Sequence, residues 1–120
     1  MILSGKKSEI LAEKYLLDRD YQIHFKNKRV GRYEFDLVCQ DKEVIVFVEV
    51  KSLSSNQIKN PYDAVSHSKQ MRIIKVADTI LKNHFPVSEA RFDIISIVIT
   101  NGKPQFEHLK NAFTPGINTL

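Results

Sequence analysis

Three acids and a lysine stand at spacings that two paired strands would bring together. Glu34 and Asp36 lie in the run Tyr33-Glu34-Phe35-Asp36-Leu37-Val38-Cys39, and Glu49 and Lys51 close the run Val44-Ile45-Val46-Phe47-Val48-Glu49-Val50-Lys51. Side chains alternate along a strand, so Glu34 shares a face with Asp36, and Glu49 shares one with Lys51. Opposed residues on paired strands have Cβ atoms about 4.5–5.5 Å apart, so carboxylates so placed repel. Such a cluster persists if it is solvated, if one acid takes up a proton, or if a cation sits among them. Mg²⁺ and the similar Mn²⁺ are hard ions, and Mg²⁺ is held by one or two carboxylates with waters and substrate phosphate, which suits Asp36 and Glu49. The plainer alternative is the wet face of an antiparallel sheet, where acids and lysines are ordinary. Against it, Glu49 and Lys51 follow Val46-Phe47-Val48, which reads as buried on both faces, and a buried charge needs a partner.

Stepping along the chain, the polar break Gln40-Asp41-Lys42-Glu43 between two β-rich runs predicts an antiparallel hairpin. A turn centred between Asp41 and Lys42 pairs Val38 with Ile45, Asp36 with Phe47, Glu34 with Glu49 and Arg32 with Lys51. One face then carries Glu34, Asp36, Glu49 and Lys51 with Val38, Ile45 and Phe47. The other, Tyr33, Phe35, Leu37 and Cys39 against Val44, Val46, Val48 and Val50, is continuous core. Upstream, Ser4 is placed to cap a helix running to about Arg19, with Leu11, Ala12, Tyr15 and Leu16 as its apolar stripe and Glu9 beside them. Tyr21, Ile23 and Phe25 alternate with Gln22, His24 and Lys26 as a strand with one wet side. Lys26, Lys28, Arg29 and Arg32 form a basic cluster, either a solvated edge or a set of phosphate contacts.

Downstream, the polar stretch from Ser52 to Pro61 reads as a long loop. A helix is predicted from about Tyr62 to about Asn83, with Ala64, Ser68, Met71, Ile74, Ala77 and Leu81 facing the core and Lys69, Arg72, Lys75 and Lys82 outward. Pro86 ends it. Arg91 to Ile99 is a buried strand, Asn101-Gly102-Lys103-Pro104 a turn, Gln105 to Leu109 a short strand, and residues 113–120 a frayed tail. The expected fold is α/β: one mixed sheet with flanking helices, a single domain over residues 1–120, with a strand parallel to its neighbour after the long helix.

An acid on one strand followed by Glu-x-Lys on the next resembles the PD-(D/E)XK nuclease superfamily, which includes restriction endonucleases and Holliday-junction resolvases. More closely, Glu34-Phe35-Asp36-Leu37, Val46-Phe47-Val48-Glu49-Val50-Lys51 and Arg91-Phe92-Asp93 resemble the YraN-like family of small bacterial proteins, over about Gly5 to Phe113. The resemblance implies a restriction endonuclease-like fold and a metal-dependent nuclease site. Asp36, Glu49 and the Val50 carbonyl would hold Mg²⁺ or Mn²⁺, and Lys51 would act on the attacking water. Glu9, in Gly5-x-x-Ser8-Glu9-x-x-Ala12, falls where the family carries a glutamate near the site; a solvated glutamate in a first turn is the alternative. Lys69 matches a lysine of the family's helix, and His108 and Asn111 read as positional. The chain departs from the pattern at Phe35, where proline is common, and at Tyr33, where glycine is expected.

A net charge of +4 and a pI near 9.2 admit a nucleic-acid partner, DNA before RNA. Lys26, Lys28, Arg29, Arg32, Lys69 and Arg72 are the candidate contacts. The single cysteine, Cys39, rules out an internal disulfide and reads as a core thiol in a reducing compartment. With no leader-like start and no apolar run of membrane length, the chain is expected in the cytoplasm without a membrane partner. The scattered glycines form no phosphate loop, and no zinc histidine pair or serine elbow occurs. Three functions remain open: a metal-dependent nuclease acting on DNA, branched DNA included; a non-catalytic nucleic-acid-binding domain; or an interaction subunit. A homodimer is compatible with each.

Overall fold

The structure, a computed structural model, describes residues 4–53 and 66–113. Its elements are α1 (Gly5–Leu17), β1 (Gln22–Val30), β2 (Tyr33–Asp41), β3 (Val44–Leu53), α2 (His67–His84), β4 (Glu89–Thr100) and β5 (Lys103–Phe113). The strands form one sheet in chain order, antiparallel except for β3 and β4. Those two run parallel, so their connection must cross over the sheet, and α2 lies within that crossover.

Alternation along the strands divides the core between two faces. Leu37, Cys39, Val46, Val48, Ile95 and Ile97 bury Ala12 and Leu16 of α1. Val38, Ile45, Phe47, Phe92 and Ile94 bury Ile73, Ala77 and Ile80 of α2. The result is a single α/β domain, a five-stranded mixed sheet with a helix on each face, consistent with a restriction endonuclease-like fold. No described helix is long and apolar enough to cross a membrane. Burial among these residues pushes the Cys39 thiol up to about 12, as a core thiol requires.

The hairpin register differs from the expected one by two residues. Val38 pairs with Phe47, Gln40 with Ile45 and Asp41 with Val44, because the turn is the two residues Lys42 and Glu43, Lys42 taking a left-handed φ of 56°. The pairs Val38–Ile45, Asp36–Phe47, Glu34–Glu49 and Arg32–Lys51 do not form. A slip of two preserves which side chains face which way, so the core assignment survives from Leu37 to Val48. It fails at Tyr33 and Phe35, which pack on the α2 face, Phe35 4.8 Å from the Phe47 ring, instead of beside Leu37. On the neighbouring β1, Asn27 lies between the Lys26–Leu37 and Lys28–Phe35 pairs with φ of 52°, and the β1–β2 register runs on unshifted across it. An irregularity at His24 turns its ring onto Phe85, 4.9 Å away, with Nε2 2.7 Å from Gln40 Oε1, so it is not on the wet side.

Helix α1 is capped by Ser4, whose side chain accepts from the Lys7 N–H. Helix α2 begins at His67 behind an extended Ser66 cap, and the start expected near Tyr62 lies outside the described residues. Of the loop expected from Ser52 to Pro61, Ser52 and Leu53 instead continue β3, paired with Ile97 and Val98, and residues 54–61 lie outside the described residues. The expected stripe of α2 is also rotated. Ile73, Ala77 and Ile80 are buried, whereas Ser68 and Met71 are exposed. Strand β5 is longer than expected, and residues 114–120 lie outside the described residues.

A buried polar network fastens the α1 side of the sheet. Asp93 on β4 is 1% exposed. It accepts from Arg91 Nε at 2.9 Å and from the Asn111 N–H at 3.0 Å, and His108 Nε2 lies 2.7 Å away. Arg91 also donates to Asp41 at 3.0 Å and to the Tyr21 hydroxyl at 2.7 Å. Burial alone would raise the Asp93 carboxyl, but its donors outweigh burial and hold it below the ordinary carboxylate range. This contribution to stability is complete above the unfolded pKa near 3.8 and is lost as pH falls through the lower folded value. Replacing Arg91 by Met strands the Asp93 charge and should lower stability by about 3–5 kcal/mol, read as a lower urea midpoint at unchanged m-value. An unmoved midpoint would show that the network is not a structural fastener.

Candidate active site

The ladder between β2 and β3 ends at Leu37 and Val48, although β2 stays paired with β1 to Tyr33 and β3 with β4 to Leu53. The β1–β2 hairpin therefore peels away and leaves a fork. Val50, just inside it, donates its N–H to Asp36 Oδ2 at 2.8 Å. A residue's N–H and C=O point to the same edge of an extended strand, so the Val50 carbonyl also faces the fork. Glu49 is held by both oxygens: Oε2 accepts from the Tyr33 hydroxyl at 3.2 Å, and Oε1 lies 3.5 Å from Lys51 Nζ. The fork thus gathers Asp36, Glu49, Lys51 and the Val50 backbone.

Electrostatics agree with that placement. The Asp36 carboxyl is pushed up to about 6, first by burial and then by the negative charges of Glu49 and Glu9; the Val50 N–H and Lys51 pull the other way without cancelling them. Burial, reinforced by Glu49, likewise raises the Tyr33 phenol, so it remains a neutral donor. The donor set is all oxygen, two carboxylates and a carbonyl, which fits a hydrated hard divalent ion and not zinc. Among the described residues no group of three or more His, Cys, Asp or Glu is arranged to hold a metal, so an ion here would retain several waters.

The remaining candidates sort by position. Glu9 on α1 is half-buried and within electrostatic reach of Asp36. Its neighbour Ser8 is buried and donates to the Ser4 carbonyl at 2.8 Å. Glu34 is exposed and engaged by Arg29 at 3.1 Å. Lys26 pairs with Glu13 at 3.4 Å, and Lys28 Nζ sits 4.5 Å above the Phe25 ring. Arg32, Lys69 and Arg72 instead share a cleft that Tyr33 also lines. Sequence reading missed Tyr33: its departure from the expected glycine was the signal, because a tyrosine there supplies the hydroxyl that holds Glu49.

The sequence model of the uncharacterised protein family UPF0102 matches residues 8–97. The chain belongs to this family. A UPF0102 protein of Geobacter metallireducens is 43% identical over 110 residues, covering 91% of this chain and 90% of the relative. One from Bacteroides fragilis is 40% identical over 114 residues, covering 94% and 93%, and one from Anaeromyxobacter dehalogenans is 37% identical over 110, covering 91% and 82%. The matched span of this UPF0102 chain includes α1 with Glu9, the fork, and Arg91 with Asp93.

Because Asp36 is raised in the folded state, the metal-free protein gains stability from this group as pH falls from about 6 towards the unfolded value near 3.8, and loses it in the opposite direction. Asn at position 36 keeps an acceptor for Val50 and removes a charge. The metal-free melting temperature of Asp36→Asn should therefore equal or exceed wild type at pH 7, with a flatter profile between pH 6 and 4. Mn²⁺ at about a hundred times its Kd should stabilise wild type by about 2.7 kcal/mol and leave the variant unmoved. Equal responses of the two proteins to Mn²⁺ would remove the metal from this site.

Proposed function

We propose that this UPF0102 protein is a Mg²⁺- or Mn²⁺-dependent nuclease that hydrolyses phosphodiester bonds of DNA at the fork between β2 and β3. The observation that supports this reading is the gathering of Asp36, Glu49, Lys51 and the Val50 backbone at one fork, where burial first and the charges of Glu49 and Glu9 next raise the Asp36 carboxyl to about 6. When bound, the divalent ion would supply Lewis-acid neutralisation of charge on the phosphoryl oxygen. Asp36, Glu49 and the Val50 carbonyl would hold it. Tyr33 fixes the rotamer of Glu49 through Oε2. Lys51, at 3.5 Å from Oε1, is placed to orient the attacking water and to stabilise charge developing on the phosphate. Binding of the ion also competes with the proton on Asp36, so activity should fall as pH drops below about 6.

The competing reading, a nucleic-acid-binding domain without turnover, keeps the same basic residues and gives Lys51 only one phosphate to meet. Cleavage of linear, flapped and branched DNA by rigorously purified protein separates the two. Lys51→Ala should lower cleavage by about 10²-fold or more while the Mn²⁺-induced rise in melting temperature persists. Lys51→Arg keeps the charge without the compact ammonium and should restore binding but not cleavage. Wild-type protein that cleaves none of these substrates with either metal ends the nuclease reading and leaves the fold in place.

A further inference from the structure

A cleft of ≈ 500 Å³ lies between the β1–β2 turn and α2, with Arg32 and Tyr33 on one bank and Lys69, Arg72, Lys75 and Thr79 on the other. The α2 residues fall on one helical face by their spacing. Among the described residues no acid lines this cleft, and none of its four cations is ion-paired with a described residue. By contrast, Lys26, Arg29 and Lys82 each have an acidic partner. Lys69 also stands in the first turn of a helix that has no acid there. The helix dipole disfavours a cation at that end, so the arrangement opposes local stability in the absence of an anion.

The dimensions select the kind of anion. A cleft of this volume is in the range of small-ligand sites, about 300–1,000 Å³, enough for one or two nucleotides. A volume that holds one or two nucleotides accommodates a single strand and not a base-paired duplex within it. Cations on both banks suit the phosphates of one strand lying between them, and Val30 and Val76 give that strand apolar contact. The cleft also leads somewhere. Tyr33, which lines it, donates its hydroxyl to Glu49 in the fork.

We infer that this cleft binds the backbone of a single-stranded nucleic-acid segment and delivers it to the Asp36–Glu49 fork. Delivery rests on the nuclease reading; binding does not. The test is fluorescence anisotropy in EDTA with a labelled thymidine oligonucleotide of about 15 residues and a duplex of equal length. Wild type should bind the single strand more tightly than the duplex. Lys69→Ala with Arg72→Ala should weaken single-strand binding about tenfold or more and lower the magnitude of the salt slope by about 1.4. Lys75→Glu should weaken it in the same direction, whereas Lys82→Ala, which alters a lysine paired with Asp78 outside the cleft, should leave it unchanged. Tighter duplex binding, or single-strand affinity unmoved in both cleft variants, overturns the inference. With turnover suppressed by EDTA, cleft-dependent binding by a protein that cleaves nothing retains the cleft and retires the nuclease. Cleavage that persists while single-strand binding ignores the cleft substitutions does the reverse.

Discussion

The Val50 N–H must find an acceptor once β2 leaves β3, and the Asp36 carboxylate supplies it. A strand edge exposed inside a domain has unpaired donors and acceptors, and each of these has to be satisfied. Here a side chain takes the place of a strand, so the sheet can open without orphaning that donor. The opening defines the rest of the functional region. It separates Tyr33 from the β3 ladder so that its hydroxyl reaches Glu49, and it lets the β1–β2 turn approach α2 to form the basic cleft. A continuous ladder to the end of β3 would leave no space for either.

Asp36 and Asp93 show that satisfaction, more than burial, sets the state of an acid in this fold. Asp93 is almost fully buried yet held low, because Arg91, His108 and the Asn111 N–H all meet its oxygens. Asp36 is less buried and held high: its one backbone donor and Lys51 do not outweigh burial and the charges of Glu49 and Glu9. One carboxylate has donors enough to offset its burial, and the other does not. Strain of this kind is tolerated only where surrounding structure is over-determined, and the Arg91–Asp93 network supplies that rigidity across the strands on either side of β3.

How much was legible from sequence follows from which quantities are robust. Strand faces have period two, so the core from Leu37 to Val48 came out correctly even though the pairing register was off by two. The same rule failed at Tyr33 and Phe35, because nothing in the local run announces that β2 changes face where it leaves β3. The fork was invisible for a related reason: hairpin logic extends pairing to the ends of both runs, and where two strands stop pairing depends on tertiary packing. On α2 the wide apolar face offered several stripes, and the choice among them depended on contact with Phe47 and Phe92. That rotation carried Lys69, Arg72 and Lys75 from an assumed outer surface to the wall of a cleft.

A fold consistent with that of restriction endonucleases does not establish turnover, so the weight rests on what this arrangement does that a binding surface would not need. A phosphate-binding patch gains nothing from carboxylates beside it, since they repel the ligand's own charge. In this chain four cations stand apart from the acids: among the described residues Arg32, Lys69, Arg72 and Lys75 line a cleft without an acid, while Asp36, Glu49 and Glu9 converge with Lys51 on the fork next to it. The single tyrosine between them touches both, lining the cleft and holding Glu49 by its hydroxyl. On the proposed nuclease reading, this separation would let the cleft hold the anionic backbone while the fork presents oxygens for a divalent ion at the scissile position, the division of labour that phosphodiester hydrolysis requires.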